Sequence, residues 1–364
     1  MIETLGSHQV FSGKWAGQRN PLLPHTVALG ERLGKLGSTS ISVGVSLHDA
    51  AISIIQRFGQ NEFLRGVAAE AIAGSAVLCI GATETGGGSD LQNSQSTAEQ
   101  EGRGYRLRGH KKFVSLSPLA DYVLLPVRGV GDQTKSPGGL ALFVVPMKSV
   151  TVHAVLDRAG AGCLDTAPIT FDTWVPEEMM LARPGAGLAA ISWGLALERL
   201  SISSQIVGTC DLAIGVTVAR MTAREQFGAK LLDHQILRLR MADLKSRVDV
   251  LRWGLRGYVH EEGILNIRTA AAFKVSAARL GNEVISECMH IFGGTGYLQN
   301  EAPLERWWRD MKLARIGGGT DEVLWELVAA SLVPDHENYE RMINEWSPDN
   351  DDISVTDSLN SRIR

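Results

Sequence analysis

The feature that most constrains the fold is a long stretch with few helix-breaking residues, LAAISWGLALERLSISSQIVGTCDLAIGVTVARMTAREQFG, at positions 188–228. Its apolar residues recur at helical spacing, and around Glu198 they cover most of the helix circumference. Two further helical runs follow, HQILRLRMADLKSRVDVLRWGLRGYVHEEG and RTAAAFKVSAARLGNEVISECMHIFGG. The sequence therefore predicts a C-terminal bundle of long helices.

The chain before this bundle shows two other patterns in succession. Residues 26–78 contain three helical runs that glycines end. The segments that follow are short, β-branched or alternating, with Gly and Pro between them, which is typical of strands. These patterns predict an α+β multidomain protein with four parts: an N-terminal helical domain (1–78), a middle β domain (79–182), the helical bundle (183–333) and an acidic, polar tail (334–364).

Charge and composition exclude several classes of protein. The formal net charge of −4 and the pI of about 6.2 provide no basic surface for nucleic acid. The four cysteines stand singly, so we expect no metal site and no disulfide framework, but reduced thiols in a cytoplasmic protein. We expect no signal peptide, and the longest uncharged apolar run, at 71–82, is too short to span a bilayer. The composition of the tail, with DNDD at 349–352, favours solvated disorder.

Four segments, in order and at similar spacing, resemble the acyl-CoA dehydrogenase superfamily. They are ATETGGGSDL (82–91), RGHKKFVSLSPLADYVLL (108–125), AREQFGAKLLDHQ (223–235) and HIFGGTGYLQNEAPLERWWRDMKLARIGGGTDEV (290–323). The resemblance extends over most of the chain from residue 26 to 333. It implies the fold of that family: an N-terminal helical domain, shorter here than usual, a middle β-barrel-like domain and a C-terminal four-helix bundle. It also implies FAD as cofactor and a homo-oligomer, either a dimer or a tetramer.

The resemblance also implies which residues contact the flavin ring. The ATETGGGSD segment fits neither a dinucleotide-binding nor a Walker A pattern, and on pattern alone it indicates a plain turn. By resemblance, Thr83 and Ser89 lie beside the flavin or the thioester. Phe113 and Ser115 stand where the family has an aromatic residue, usually Trp, and a hydroxyl next to the ring. Without the resemblance, Phe113 is merely a core residue of a strand.

A second set of residues resembles the part of the family that binds the rest of the FAD. Arg224 and Phe227 match an Arg-x-x-Phe-Gly element that reaches the cofactor of a neighbouring subunit, and arginine suits a pyrophosphate. Taken alone, they indicate a surface arginine and an aromatic residue at a helix end. Gln235 matches a similarly placed glutamine, whereas His290 stands where the family generally has glutamine. Further matches to cofactor-contacting positions near the subunit interface are Gly293, Gly294, Thr320 and Glu322.

The catalytic base of most members of the family is a glutamate at the position of Gly318, within the triglycine loop Gly317–Gly319. A branch that includes isovaleryl-CoA and long-chain acyl-CoA dehydrogenases instead carries its base on the long helix in a Glu-Arg-Leu context, as at Glu198 here. The alternative for Glu198 is a structural ion pair with Arg199 or Arg224. The resemblance further implies that the Gly318 N–H holds the thioester carbonyl together with a flavin hydroxyl.

The function that follows is FAD-dependent α,β-dehydrogenation of an acyl thioester. Glu198 removes the α-proton, and the β-hydride passes to flavin N5. The substrate is an acyl-CoA or an acyl-carrier protein, and electrons leave to electron-transfer flavoprotein or another acceptor. Two alternatives remain: a non-catalytic or half-site subunit of a hetero-oligomer, suggested by the short N-terminal domain, His290 and Gly318, and a flavin oxidase or monooxygenase on the same fold.

Overall fold

Helices form the N-terminal part of the structure, a computed structural model that describes residues 1–15, 20–130, 139–261 and 263–346. The side chain of Asn61 caps the fourth helix by accepting from the N–H of Leu64, and Gly74 ends it in a left-handed conformation (φ +79°). The helices are α1 (Ile2–Ser7), α2 (Leu23–Gly34), α3 (Thr39–Phe58) and α4 (Glu62–Ala73).

A single mixed sheet follows the N-terminal helices. Its strands are β1 (Leu78–Ile80), β2 (Thr97–Glu101), β3 (Gly104–Ser115), β4 (Tyr122–Val130), β5 (Leu140–Pro146), β6 (Thr151–Val152), β7 (Thr166–Pro176) and β8 (Met180–Ala182). They lie in the order β6-β7-β3-β2-β4-β5-β8, and β1 pairs with β4 in parallel. The central strands β4 and β5 are apolar and form the core of this region, because both of their faces are covered.

One irregularity in the sheet determines where an aromatic side chain lies. The pairing of β3 with β7 shifts between Lys111 and Val114, and Phe113 within the bulge has a positive φ of +59°. A bulge re-aims the side chain of the extra residue away from the regular alternation of the strand. As a result Phe113 is 57% exposed, although it lies in the middle of a packed sheet.

The C-terminal part is a helical bundle built around one long helix. Its helices are α5 (Gly187–Ala223), α6 (Gln235–Glu261), α7 (Ile267–Phe292), α8 (Gly294–Tyr297), α9 (Leu304–Leu313), α10 (Asp321–Ala329) and α11 (His336–Glu345), with a short hairpin, β9 (Glu225–Gln226) and β10 (Ala229–Lys230), after α5. By length and composition α5 could cross a membrane, but 61% of its most apolar window is buried inside the fold. Because α5 packs against α2, α3, α6 and α7, most of its apolar surface is buried in the protein core.

Glycines bring α2 into direct backbone contact with α5. A Cβ at Gly30 would lie 2.7 Å from the carbonyl oxygen of Ser201, and one at Gly34 would lie 2.0 Å from that of Gln205. On the other helix, a Cβ at Gly208 would lie 2.2 Å from the carbonyl oxygen of Glu31. These distances are shorter than any real contact, so the two helices can approach this closely only where side chains are absent.

The segment after Pro334 differs in part from the expectation of a mobile tail. Residues His336–Glu345 form α11, because Asp335 caps the helix by accepting from the N–H of Asn338 and apolar residues recur at helical spacing. That apolar stripe is exposed along the helix: Tyr339, Met342, Ile343 and Trp346. The acidic DNDD run lies outside the described residues.

Candidate active site

Glu198 lies within α5, with its carboxylate buried. The residue is 4% exposed, and its Oε2 has no hydrogen-bond partner among the described residues. Within the residues that the structure describes, no ion pair within 4.0 Å joins Glu198 to Arg199 or Arg224. Burial raises the pKa of Glu198, while the charges of Arg199 and Lys274 oppose that rise. A carboxylate in this setting is a stronger base than an exposed one.

Gly318 faces this carboxylate. A Cβ at position 318 would lie 3.8 Å from Oε2 of Glu198 and 3.7 Å from Cδ1 of Ile202, so a longer side chain would fill the space in front of the carboxylate. Gly318 has a φ of +68° and Gly319 a φ of +107°, in the region that side chains rarely adopt. The loop therefore requires glycine for its backbone conformation as well as for the space beside Glu198.

Two buried cations bind the triglycine loop by its carbonyl groups. The Nε of Arg199 donates to the carbonyl oxygen of Gly318 at 2.8 Å, and the Nζ of Lys274 donates to that of Gly319 at 2.5 Å. The sequence indicates Arg199 only as a candidate ion-pair partner of Glu198, and no sequence pattern predicts a role for Lys274. No local spacing could reveal these contacts, because the partners are 119 and 45 residues apart in the chain.

The residues after the loop begin α10. The hydroxyl of Thr320 accepts from the N–H of Val323 at 3.5 Å and caps the helix. Glu322 is exposed in the first turn, where its own main-chain N–H and the Thr320 hydroxyl lower its pKa. Arg315 pairs with the buried Asp321 at 2.7 Å and ties the start of α10 to the end of α9. Thr320 and Glu322 thus lie directly beside the triglycine loop.

A buried glutamate anchors the glycine-rich ATETGGGSD turn. Glu84 accepts from the Nζ of Lys111 at 2.7 Å and from the hydroxyl of Ser94 at 2.5 Å. It also accepts from the N–H groups of Gln95 and Ser96 at 2.7 and 3.1 Å. Although burial acts in the opposite direction, these donors lower the pKa of Glu84 to about 2. The turn is therefore held by a charged residue with four hydrogen-bond donors around it, which local sequence pattern does not indicate.

Thr83 lies next to the exposed Phe113. The main-chain N–H of Lys112 donates to the carbonyl oxygen of Thr83 at 2.7 Å, so the two segments are joined at this point. The Nζ of Lys112 lies 4.9 Å from the centre of the Phe113 ring. The structure thus brings together the threonine and the aromatic residue that the sequence assigned to one site.

The two predicted serines differ in their surroundings. Ser115 is half-buried, and its hydroxyl lies 3.0 Å from that of Thr166 on β7. Ser89 is exposed on the turn. Gly86 and Gly87, in the same turn, have no atom within 4 Å of a Cβ built on them. This side of the sheet is consequently open, with bare backbone and an aromatic surface available to a planar ligand.

The remaining predicted residues form an exposed group at one end of the helical bundle. Arg224 ends α5, and Phe227 in the following hairpin is 98% exposed at a φ of +55°. Arg220 connects the last turn of α5 to the end of α7, since it donates to the carbonyl oxygen of Phe292 at 3.2 Å and stacks on its ring. We call the group the bundle end, and its members are Arg224, Phe227, Gln235, His290, Gly293 and Gly294.

These residues fit a flavin nucleotide in two separated parts. The open surface around Phe113 suits a planar ring, and the Oε2 of Glu198 beside the triglycine loop has no partner among the described residues. The bundle end supplies an exposed guanidinium and bare glycine backbone, which suit a pyrophosphate and its neighbours. Among the described residues, no group of three or more His, Cys, Asp or Glu side chains could hold a metal ion.

Comparison with known families matches two consecutive parts of the chain. The family described as "Acyl-CoA dehydrogenase, middle domain" matches residues 79–174, and "Acyl-CoA dehydrogenase, C-terminal domain" matches residues 185–333. These two ranges contain the sheet and the helical bundle, respectively.

Individual relatives point the same way. The acyl-[acyl-carrier-protein] dehydrogenase MbtN of Mycobacterium tuberculosis is 56% identical over 94% of this chain and 89% of its own length. The mitochondrial long-chain specific acyl-CoA dehydrogenase of Mus musculus is 30% identical over 80% of this chain and 69% of its own length. A solved structure of a probable acyl CoA dehydrogenase from Mycobacterium abscessus matches with a TM-score of 0.82 at 27% identity, covering 90% of this chain and 89% of that one.

Proposed function

The chain belongs to the acyl-CoA dehydrogenase family, and on that premise we propose that Glu198 is the base that removes the α-proton of its acyl thioester substrate. The protein is an FAD-dependent oxidoreductase that acts on a CH–CH group. The observation that carries the assignment of Glu198 is its buried, unpartnered Oε2 beside a glycine loop with no side chain of its own. Burying a carboxylate without a partner costs free energy, and such groups are typical of functional sites.

The chain's own residues account for the proton and the carbonyl. Glu198, ionised, accepts the α-proton from the substrate, and the N–H of Gly318 donates to the thioester carbonyl oxygen, which gains negative charge as the proton leaves. When bound, FAD supplies the oxidising power by accepting the β-hydride at N5. Thr83, Ser89, Phe113 and Ser115 would hold its ring. Thr320 and Glu322, beside the triglycine loop, would also contact it. The bundle end would hold the remainder of a cofactor.

The acyl group is carried, in our proposal, by an acyl-carrier protein rather than by CoA. The support is the much greater similarity to a relative named as acyl-carrier-protein dehydrogenase than to one named for acyl-CoA, 56% against 30% identity. The same acyl chain would be presented on a carrier protein and on CoA, and kcat/KM compared. A higher value with CoA would contradict this part of the proposal.

We further propose a cytoplasmic homo-oligomer, a dimer or a tetramer, whose electrons leave to electron-transfer flavoprotein or another acceptor. Support for the oligomer comes from exposed apolar surface. Phe227 is almost fully exposed, and a groove on the outer face of α6 and α7 is lined by Val250, Phe273 and Trp325, beside Arg279. Sedimentation of the FAD-loaded protein would measure the number of chains.

The decisive experiment is the anaerobic addition of acyl thioesters to the purified holoprotein while the flavin absorbance is recorded. The native protein should bleach with its substrate, and Glu198→Gln should bind FAD but not bleach. Glu31→Gln is a matched control, since Glu31 is also buried but pairs with Arg252 and Arg256 of α6. A native protein that binds FAD and never bleaches would favour the oxidase or half-site alternatives.

A further inference from the structure

Two buried positive charges converge on the triglycine loop from different helices. Arg199 on α5 is 5% exposed and Lys274 on α7 is 0% exposed. Among the described residues neither cation forms an ion pair within 4.0 Å; each instead donates to a loop carbonyl, Arg199 to Gly318 and Lys274 to Gly319. Burying a cation without a carboxylate partner costs free energy of desolvation. Two such residues at adjacent carbonyls therefore destabilise this part of the fold unless their bonds to the loop compensate.

The geometry of the peptide links these bonds to the N–H groups of the loop. In a trans peptide the C=O and the following N–H point in opposite directions. Holding the oxygen of Gly318 against Arg199 therefore directs the N–H of Gly319 to the other side, and holding the oxygen of Gly319 against Lys274 does the same for the N–H of Thr320. With both planes fixed, the φ and ψ of Gly319, which lies between them, are restricted as well. Gly318, whose N–H is the proposed donor to the thioester, is anchored through its own carbonyl oxygen.

Glycines cannot hold this arrangement by themselves. Gly317, Gly318 and Gly319 have no side chain to pack, and glycine loses more freedom on ordering than any other residue. Two of them adopt positive φ values, +68° and +107°. The conformation of the loop must then come from its hydrogen bonds, and the charge-assisted ones are the strong ones.

We propose that Arg199 and Lys274 form a cationic clamp: they are positioning residues that hold the triglycine loop so that its N–H groups meet the thioester carbonyl. The clamp rests on the proposed function, because the loop matters for turnover only if it receives that carbonyl. A displacement of about 1 Å at such a donor is enough to cost roughly 100-fold in rate. The clamp thus acts through the loop and does not itself touch the substrate.

The same charges also act on the base. Burial raises the pKa of Glu198, and Arg199 first and Lys274 second oppose that rise. Lys274 in turn faces Asp321 and Arg315, and burial lowers its pKa to about 8. Because Glu198 must be ionised to accept a proton, removing a neighbouring positive charge should raise its pKa further and move the acid limb of the kcat profile to higher pH.

The test uses the FAD-loaded protein and three variants. Arg199→Met removes both the charge and the bond to Gly318, Arg199→Lys retains the charge without the planar fork, and Lys274→Met removes the second arm of the clamp. Arg158→Met is a matched control, because Arg158 also donates to two main-chain carbonyls, those of Leu156 and Gly162, but in the sheet region.

The expected result has three parts. In Arg199→Met, kcat falls roughly 100-fold with little change in KM, and the acid limb moves to higher pH. In Arg199→Lys, kcat also falls, but the acid limb stays in place. Lys274→Met resembles Arg199→Met with a smaller pH shift. In both Met variants of Arg199 and Lys274, amide hydrogen exchange of the peptide 314–320 becomes faster. The melting temperature of the control Arg158→Met is the reference for general destabilisation of the fold.

Hydrogen exchange keeps the clamp separate from the proposed function, since it needs no turnover. Unchanged exchange of 314–320 in Arg199→Met and Lys274→Met would overturn the clamp, whatever Glu198→Gln does. Faster exchange with unchanged kcat would overturn it too, since the loop position would then not matter. If Arg199→Met fails to fold, Arg199→Lys and Lys274→Met decide by the same measurements. Bleaching that survives in Glu198→Gln would instead remove the proposed base.

Discussion

The surroundings of Glu198 and the bundle end differ in how much of each is built within one chain. Glu198 is buried, and the triglycine loop in front of it is held by Arg199 and Lys274 of the same chain. At the bundle end, Arg224 ends a helix in solvent and Phe227 is 98% exposed. On the proposed function, the groups for proton transfer are pre-organised inside one chain, whereas the proposed cofactor-binding surface at the bundle end is exposed.

Replacing Glu198, the proposed base, should have the largest effect on turnover. In Glu198→Gln the amide cannot accept the α-proton, so we expect substrate-dependent bleaching of the flavin to slow by roughly 1,000-fold or more. FAD content should not change, because the bundle end is untouched. Stopped-flow absorbance measures the rate. Bleaching within tenfold of the native rate would contradict the assignment of proton removal to Glu198, and with it the contrast between the two regions.

The triglycine loop should come second. Gly318→Ala places a Cβ about 3.8 Å from the Glu198 carboxylate at a φ of +68°. A non-glycine residue in that conformation costs about 1 kcal/mol, and the loop would have to shift to relieve it. We expect kcat to fall roughly 10- to 100-fold. Gly102→Ala, at a similar φ of +63° and with no atom within 4 Å of its Cβ, is the control and should keep its kcat.

Changes at the bundle end should affect cofactor affinity rather than chemistry. Arg224→Ala removes charge-assisted hydrogen bonds to a pyrophosphate, which predicts a Kd for FAD roughly 10- to 100-fold higher. With saturating FAD, the bleaching rate should return to nearly the native value. Titration of the apoprotein measures the affinity, with the exposed Arg108→Ala as control. A loss of rate at saturating FAD would show that the two regions are not independent.

The smallest effect on turnover is expected at Glu84, which lies in neither region and supports the turn beneath Thr83. Its pKa of about 2 in the folded protein is below the ordinary value of 4.5. A lowered pKa stabilises the fold above pH 4.5, and that contribution is lost as the pH falls towards 2. Glu84→Gln should therefore lower stability to urea at pH 7 but much less at pH 3. An equal loss at both pH values would contradict the assignment, and the exposed Glu99→Gln should change neither.

The sequence predicts much of this architecture, because periodicity is a local property. The long stretch around Glu198 predicts α5, and the change of pattern near residue 79 predicts the sheet, whose first strand begins at Leu78. The acidic, polar composition after Pro334 predicts solvated disorder, whereas the structure has the helix α11 there. Acidic residues in the first turn favour a helix as well as disorder, which makes composition a weak guide at that point.

The parts of the site that the sequence does not predict depend on distant partners or on backbone conformation. Lys274 meets the loop from another helix, and the positive φ of Phe113 arises from a register shift against β7. Neither feature can be inferred from the residues that are adjacent in the sequence. By contrast, the burial of Glu198 is predicted because its apolar neighbours lie on the same helix.

The length of α5 has a consequence for how active sites are shared. Arg224 follows Glu198 by 26 positions, which is about 39 Å along a helix at about 1.5 Å per residue. On the proposed function, one cofactor cannot bind Arg224 and also place its ring beside Glu198 of the same chain across that span. In an assembled oligomer, a chain carrying Glu198→Gln and a chain carrying Arg224→Ala would each retain what the other lacks. Mixing the two inactive or weakened proteins should then restore some native sites by complementation between subunits, in proportion to the mixed pairs formed.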